Sequence, residues 1–145
     1  MTMSSEHLAD QHGVVFGLAG WSGAGKTTLV EKVIVHLVNL GYDIATVKHA
    51  HHNFNPDTPG KDSFRHRQAG SRQVLVSSMR RTALFIEHNV NSEPDLYELL
   101  NQLAPADLVL VEGFKKYPIE KMEIFRSSLG KPHLYLEDEW VIAVA

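Results

Sequence analysis

A glycine-rich segment near the N-terminus has the residue types and spacing of a phosphate-binding loop. Gly20 is followed, after four residues, by Gly25-Lys26-Thr27, which is the Walker A or P-loop pattern. An apolar run at residues 14–19 precedes the segment, and apolar residues at helical spacing follow it through residue 38. A strand, a glycine-rich turn and a helix in this order form the context in which the pattern binds phosphate.

The positions of this loop predict distinct contacts with a nucleotide. Glycines let the backbone adopt positive φ, so that successive amides can surround a phosphate at the N-terminus of a helix. Lys26 would reach the β- and γ-phosphates, and the Thr27 hydroxyl would bind Mg²⁺. The predicted nucleotide-binding residues are Ser22, Gly23, Ala24, Gly25, Lys26, Thr27 and Thr28.

A second apolar run predicts the carboxylate that completes a magnesium site. Residues 108–111 read Leu-Val-Leu-Val without alternation, as in a strand that is buried on both faces of a parallel sheet. Glu112 ends this run, so it would lie at the carboxyl edge of the sheet, where α/β proteins bind ligands. We therefore predict that Glu112 and Thr27 hold Mg²⁺, whereas Asp107, at the other end of the strand, is too far away.

Composition restricts the classes of protein that fit this chain. With 145 residues, a net charge of −3 and no cysteine, it is expected to be one domain without disulfides, and a reducing cytoplasm fits its composition. Residues 1–13 lack the features of a signal peptide and predict a flexible tail that precedes a domain over residues 14–145. No apolar run reaches the roughly 18 residues of a membrane span, and the negative charge argues against a general nucleic-acid coat.

Positive charge is concentrated in the middle of the chain. Residues 48–81 contain seven lysines and arginines but only two carboxylates. Such a segment is either a solvated face or a site for a second phosphorylated ligand or an acidic partner. In the second interpretation Lys61, Arg65 and Arg67 would clamp phosphate oxygens, while Asp62 would cap a short helix.

Three histidines, His49, His51 and His52, follow a predicted strand. Imidazoles at this spacing could bind zinc, nickel or copper. A closed zinc site needs about four ligands, however, and the chain has no cysteine to supply one. Polar loop residues or contacts to phosphate are the alternative interpretation of the same residues.

Local signals predict the remaining elements. After the long helix, which should end at Gly41, we expect a strand at 44–49, a short helix at 63–69 and a pair of strands at 73–77 and 83–87. Ser92 and Asp95 suggest a capping box for a helix that runs to residue 103. Further strands are predicted at 121–125, 132–136 and 140–145. The last of these reads as a buried strand. Because an exposed apolar chain end is unusual, we expect the natural chain to continue beyond Ala145.

Taken together, the motifs resemble the molybdopterin-guanine dinucleotide biosynthesis protein B family, which consists of small GTP-binding accessory proteins. The resemblance extends over residues 14–145 and depends on the order of the P-loop and three further motifs. These motifs are Lys48-His49-Ala50-His51-His52, Pro59-Gly60-Lys61-Asp62-Ser63 and Val111-Glu112-Gly113-Phe114-Lys115.

The resemblance implies a three-layer P-loop NTPase fold, with a mainly parallel central sheet and additional antiparallel strands. It also implies a homodimer, GTP and Mg²⁺ as ligands, weak hydrolysis, and partnership with the molybdenum cofactor guanylyltransferase and a molybdopterin-type ligand. Guanine specificity depends on the resemblance alone, because the chain has no Asn/Thr-Lys-x-Asp motif. Residues assigned to a second ligand or partner are Lys48, His49, His51, His52, Lys61, Asp62, Arg65, Arg67 and Lys115.

Three other functions fit the same residues. The chain could be a P-loop small-molecule kinase whose arginines clamp phosphate, a metal-delivery GTPase that uses the histidine cluster, or a scaffold with a degenerate site. No residue is an evident general base, so we predict slow GTP hydrolysis. Arg65 and Arg67 are the candidates for a catalytic arginine supplied across a dimer.

Overall fold

The computed structural model describes residues 11–50, 54–88 and 93–145. Its contacts divide the chain into two compact units, one of residues 1–49 with 94–145 and one of residues 50–93. In chain order the elements are β1 (Val14–Ala19), α1 (Lys26–Asn39), β2 (Ile44–Lys48), α2 (Asp62–Gln68), β3 (Gln73–Ser77), β4 (Thr82–Ile86), α3 (Leu96–Leu100), β5 (Leu108–Glu112), β6 (Lys121–Glu123), a 3₁₀ helix (Ser127–Leu129) and β7 (Val141–Val144).

The larger unit is built on a five-stranded sheet in the order β2-β5-β1-β6-β7. Every neighbouring pair in it is parallel, so all five carboxyl ends lie at one edge. β5 pairs with β1 on one side and β2 on the other, which brings Glu112 level with Leu18 and Lys48. The smaller unit contains α2 and the antiparallel pair β3-β4. This arrangement confirms the predicted fold class.

Two hydrophobic clusters cover the two faces of the central sheet. Val109 and Val111 belong to one cluster together with Leu96 and Leu100 of α3, while Leu110 belongs to the other, with Val30 of α1. Because successive side chains of a strand point to opposite faces, β5 is buried on both. The layers are therefore helix, sheet and helix, as predicted.

The end of α1 agrees with its sequence signal. Apolar residues at helical spacing pack against the sheet from Leu29 to Ile34, and Gly41 follows the helix at a φ of +93°. A glycine reaches this left-handed conformation without the strain that a Cβ would add. None of the helices in the described parts of the chain is long and apolar enough to cross a membrane.

Two helix starts differ from the predictions. Asp95 itself caps α3, accepting a hydrogen bond from Tyr97 N at 2.8 Å, so α3 is shorter than the helix predicted to begin at Ser92, which lies outside the described residues. Asp62 is the first residue of α2 rather than its cap, and Lys61 occupies the cap position without a side-chain bond. Asp62 can still favour the helix electrostatically, because its carboxylate lies in the positive first turn.

The predictions for the C-terminal region were wrong in two respects. Residues 132–136 form no strand, because the backbone amides of Leu134 and Tyr135 donate to the buried carboxylate of Glu123 instead of to a neighbouring strand. β7 does exist, but it is the outer strand of the sheet, and Ile142 on it is 57% exposed. A continuous apolar run therefore did not indicate burial on both faces here.

The segment preceding β1 is anchored from residue 11 onwards. His12 is 2% exposed, and its Nε2 lies 3.1 Å from the carbonyl oxygen of Leu100. Gln11 Nε2 donates to the carbonyl of Leu103 at 3.2 Å. These contacts attach the end of the predicted tail to the segment around α3.

Candidate functional site

The glycine-rich loop connects β1 to α1 at the carboxyl edge of the sheet. Gly23 and Gly25 have φ angles of +83° and +102°, and Gly25 caps α1 without any side-chain hydrogen bond. A Cβ on Gly20 would lie 2.5 Å from the carbonyl oxygen of Ile124, so only glycine fits there. The backbone amides at the start of α1 are thus left for an anion, in the manner of a phosphate site.

Lys26 lies folded over this loop. Its Nζ donates to the carbonyl oxygens of Gly20 at 2.9 Å and Trp21 at 3.0 Å. Partial burial, followed by repulsion from Lys115 and Lys48, lowers the pKa of its ammonium group, although Glu112 opposes the shift. Because other cations lie close to this ammonium group, a bound polyanion would stabilise its charged form strongly.

Thr27 and Glu112 meet at the mouth of the loop. The Thr27 hydroxyl donates to Glu112 Oε1 at 3.2 Å, although 85 residues separate them in the chain. Lys48 Nζ lies 3.4 Å from the same oxygen. Asp107, at the opposite end of β5, instead accepts a hydrogen bond from Asp43 N. The predicted magnesium pair, Thr27 of α1 and Glu112 of β5, is therefore brought together, and Lys48 of β2, predicted to contact a second ligand or partner, lies beside it.

Other predicted residues of the loop differ in exposure. Ala24 is 6% exposed and packs in the core. Ser22, Gly23 and Thr28 face solvent. Ala24 N donates to the carbonyl of Trp21, and Leu29 N to that of Gly25, so the loop turns tightly into the helix.

The turn after Glu112 is packed against the end of β2. Gly113 and Phe114 both have positive φ, at +95° and +50°, and a Cβ on Gly113 would approach His49 Cβ to 2.7 Å. The Phe114 ring stacks on His49 with centroids 4.8 Å apart. Positive φ at a phenylalanine is strained, and burial of its ring offsets that strain.

Of the histidine cluster, only His49 lies within the described residues; His51 and His52 do not. Within residues 11–50, 54–88 and 93–145, no group of three metal-ligating side chains is close enough to hold an ion. His49 itself stacks on Phe114, and its backbone amide donates to the carbonyl of Glu112. Its observed role is to support the turn that follows Glu112.

Lys115 lies beside the glycine-rich loop, because its ammonium group contacts the ring of Trp21. Its Nζ is 4.9 Å from the centroid of the Trp21 ring, and Lys131 Nζ is 5.5 Å from the same centroid. Trp21 is held in place because its indole nitrogen donates to the carbonyl of Pro132 at 2.8 Å. The aromatic residue of the loop therefore packs on the protein, and two lysine ammonium groups lie close to its ring.

The basic residues of the smaller unit form a separate arrangement. Arg67 bridges Asp57 at 3.0 Å and Glu87 at 2.5 Å; these contacts raise the pKa of its guanidinium. Although burial opposes it, hydrogen bonds from Ser63 and Arg67 hold the pKa of Asp57 below its ordinary value. Lys61, Asp62 and Arg65 are exposed, and Lys61 and Asp62 line a groove together with β3. Arg67 thus contributes to the structure of this unit.

Sequence reasoning did not include Arg126. A Cβ placed on Gly25 would lie 3.5 Å from Nη2 of Arg126, so this guanidinium lies against the start of α1. A usable signal was present, because a cation that directly follows a parallel strand reaches the ligand-binding edge of the sheet. The predicted strand at 121–125 pointed to that position.

Comparisons with known proteins identify the family of this chain. The family described as "MobB: Molybdopterin guanine dinucleotide synthesis protein B" matches residues 15–145. The chain is 42% identical over 134 residues to the molybdopterin-guanine dinucleotide biosynthesis adapter protein of Escherichia coli K12, covering 90% of this chain and 77% of that protein. The adapter protein of the same name from Haemophilus influenzae is 42% identical over 131 residues, with coverages of 90% and 73%.

Solved structures show the same fold. The crystal structure of Bacillus subtilis MobB has a TM-score of 0.65 and 26% identity, over 90% of this chain and 76% of that one. A MobB homologue from Bacillus stearothermophilus has a TM-score of 0.57 and 28% identity, over 79% and 66%. Family model, curated relatives and structures all point the same way, and the chain belongs to the MobB family.

Proposed function

We propose that this chain binds GTP with Mg²⁺ in its P-loop and acts as an accessory protein in the biosynthesis of molybdopterin guanine dinucleotide. Its partner in this proposal is the guanylyltransferase that attaches GMP to molybdopterin, in the cytoplasm. The family and the names of the relatives support the pathway and the adapter role. They favour neither the kinase nor the metal-delivery alternative.

The proposal that the chain binds a nucleotide with Mg²⁺ depends mainly on the contact between Thr27 and Glu112 at the mouth of the loop. A hydroxyl and a carboxylate are hard oxygen ligands, and Mg²⁺ is commonly held by one or two such groups together with phosphate oxygens. The donor set therefore fits magnesium. When bound, the ion would neutralise phosphate charge, while Lys26 and the amides at the start of α1 would orient the phosphates.

Slow hydrolysis is also part of this proposal. Fast GTP hydrolysis needs a residue that positions water or an arginine that stabilises the transition state, worth about 10³–10⁵ in rate. Glu112 is occupied by Thr27 and Lys48, and Arg67 by two carboxylates. Arg65 would have to act on a neighbouring subunit, so a binding role explains the site better than rapid turnover.

A second ligand, such as the phosphate of a molybdopterin-type compound, is proposed for the cations outside the triphosphate site. In the larger unit, Lys48 and Lys115 lie beside the loop, next to His49. In the smaller unit, Lys61 and Arg65 are exposed near Asp62. Both sets can attract an anionic ligand or partner.

The homodimer is proposed from the surface of the smaller unit. Leu75 and Leu84 lie opposite each other on β3 and β4 and are 66% and 47% exposed. Met79, between the two strands, is also exposed. An isolated two-stranded sheet is marginal in water, so a second copy of the chain that covers these side chains would stabilise it.

Titration calorimetry and sedimentation velocity test the proposal. We expect GTP to bind more tightly than ATP, with an affinity that falls at least about tenfold when Mg²⁺ is removed or Glu112 is replaced by glutamine. The protein should sediment as a dimer, and a Leu84→Asp variant as a monomer. Equal affinity for GTP and ATP would exclude guanine specificity, and a monomeric wild type would exclude the dimer.

GTP binding is expected to weaken as the pH rises, starting below the ordinary lysine pKa of 10.5. The lowered pKa means that free Lys26 loses its proton earlier than an isolated lysine, whereas bound phosphate favours the charged form, so binding takes up protons in this range. Lys115→Ala removes one repulsion and should move the decline to higher pH. Calorimetry at several pH values measures the GTP affinity of wild type and of Lys115→Ala. The titration of GTP itself affects both proteins equally, so a difference between the two profiles comes from the protein. Coincident profiles would argue against this origin of the shift.

A further inference from the structure

Arg126 lies against the phosphate loop without an anionic partner. Nη2 of its guanidinium would be 3.5 Å from a Cβ at Gly25, the residue that caps α1. Its side chain is exposed, and no hydrogen bond or ion pair joins it to another side chain within residues 11–50, 54–88 and 93–145. An unpaired guanidinium next to helix-terminal amides has the donor geometry for bidentate contact with phosphate.

The backbone on both sides of Arg126 is anchored. Ile124 is 6% exposed and its amide donates to the carbonyl of Ala19 at 2.7 Å. Phe125 N donates to the carbonyl of Ala145 at 2.8 Å. On the other side, Leu129 of the 3₁₀ helix is partly buried and packs against the core, with its Cδ2 3.7 Å from the position of a Cβ on Gly23. The guanidinium is thus presented by a fixed backbone, which reduces the entropy lost on binding.

The strand order determines on which side of the loop Arg126 lies. β1, which leads into the loop, lies between β5 and β6. Glu112 ends β5, whereas Arg126 follows β6, so the two residues flank the loop from opposite sides. Glu112 and Thr27 mark the side where the metal and the terminal phosphates are expected. Arg126 therefore lies on the opposite side of the loop, where the α-phosphate and the nucleoside are expected.

We propose that Arg126 binds the α-phosphate of the nucleotide, and that the nucleoside extends towards the segment of residues 125–131. This assignment rests on the proposed nucleotide binding. It adds a contact that distinguishes the two ends of the triphosphate. Because GTP and GDP share the α-phosphate, Arg126 contributes equally to the binding of both.

The test is calorimetry with GTP and GDP on wild type, Arg126→Ala and Arg126→Lys. Loss of one charge-assisted contact should weaken binding of both nucleotides by about tenfold or more, with the ratio of GTP to GDP affinity unchanged. Arg126→Lys should recover part of the loss. Lys32→Ala is the matched control, because this exposed lysine of α1 removes the same charge. Melting curves verify that each variant is folded.

The outcomes separate this assignment from the proposed function. If wild type binds GTP and Arg126→Ala binds both nucleotides as tightly, the assignment is wrong while the proposed function stands. A loss confined to GTP would place Arg126 at the γ-phosphate and also overturn it. If wild type binds no guanine nucleotide, the proposed function fails, and the assignment fails with it.

Discussion

Lys26→Ala is expected to reduce the affinity for GTP by about a hundredfold or more. The ammonium would make contacts with the β- and γ-phosphates, and hydrogen bonds that involve charged groups contribute roughly 1.5–3 kcal/mol each, where 1.4 kcal/mol corresponds to tenfold. In the free protein the same group holds the loop by donating to the carbonyls of Gly20 and Trp21. The substitution therefore removes a ligand contact and loosens the loop.

Calorimetry or a fluorescent GTP analogue measures this effect. Lys32→Ala is the appropriate control, since it removes an equal charge from an exposed position on α1 and should leave the affinity within a factor of two or three. The circular dichroism spectrum of Lys26→Ala should remain that of the folded protein. If its affinity matched that of wild type, Lys26 would not contact the nucleotide, and the result would favour the alternative of a scaffold with a degenerate site.

Lys121→Met is expected to lower the free energy of unfolding by about 3 kcal/mol. Lys121 is 2% exposed, and its ammonium donates to the carbonyls of Lys115 and Tyr117 and to Asp138 at 2.7 Å. Methionine has a similar length and preserves most of the packing, but it donates no hydrogen bond. Two backbone carbonyls and a carboxylate would lose their donor, which costs more than the removal of a surface ion pair.

Urea denaturation of wild type and Lys121→Met tests this, with Lys116→Met as the control. Lys116 is exposed, so its substitution should change stability by less than about 0.5 kcal/mol. Equal stability of the Lys121 variant would show that apolar packing replaces the ion pair without loss.

Much of the geometry of the glycine-rich loop was predictable because its signals are local. Gly23, Gly25 and Lys26 belong to one short motif, and the positive φ angles of the two glycines are set within that motif. Glu112 was predictable because a continuous apolar run indicates a parallel strand, and the carboxyl end of such a strand lies at the ligand-binding edge. The contact with Thr27 followed from this topology.

Other features depend on contacts between distant segments. The strand predicted at 132–136 does not form, because Glu123 captures the amides of Leu134 and Tyr135. Arg67 was expected to clamp phosphate, and that role remains a prediction, since both of its observed ion pairs are with carboxylates of the same unit. The spacing of residues in the sequence does not indicate which charged side chains form ion pairs.

By itself, the sequence determined the order of strand, phosphate loop and helix, the buried character of β5, and the family, because each follows from neighbouring residues or from an ordered set of motifs. Only the tertiary structure decided which cations surround the loop. Lys115, Arg126 and Lys131 are about 94–110 residues distant in the chain from the loop residues that they contact. The parallel strand order brings them to one edge. A cation that follows a predicted parallel strand can be assigned to that edge from sequence, but the order of the strands, which decides its neighbours there, leaves no local pattern.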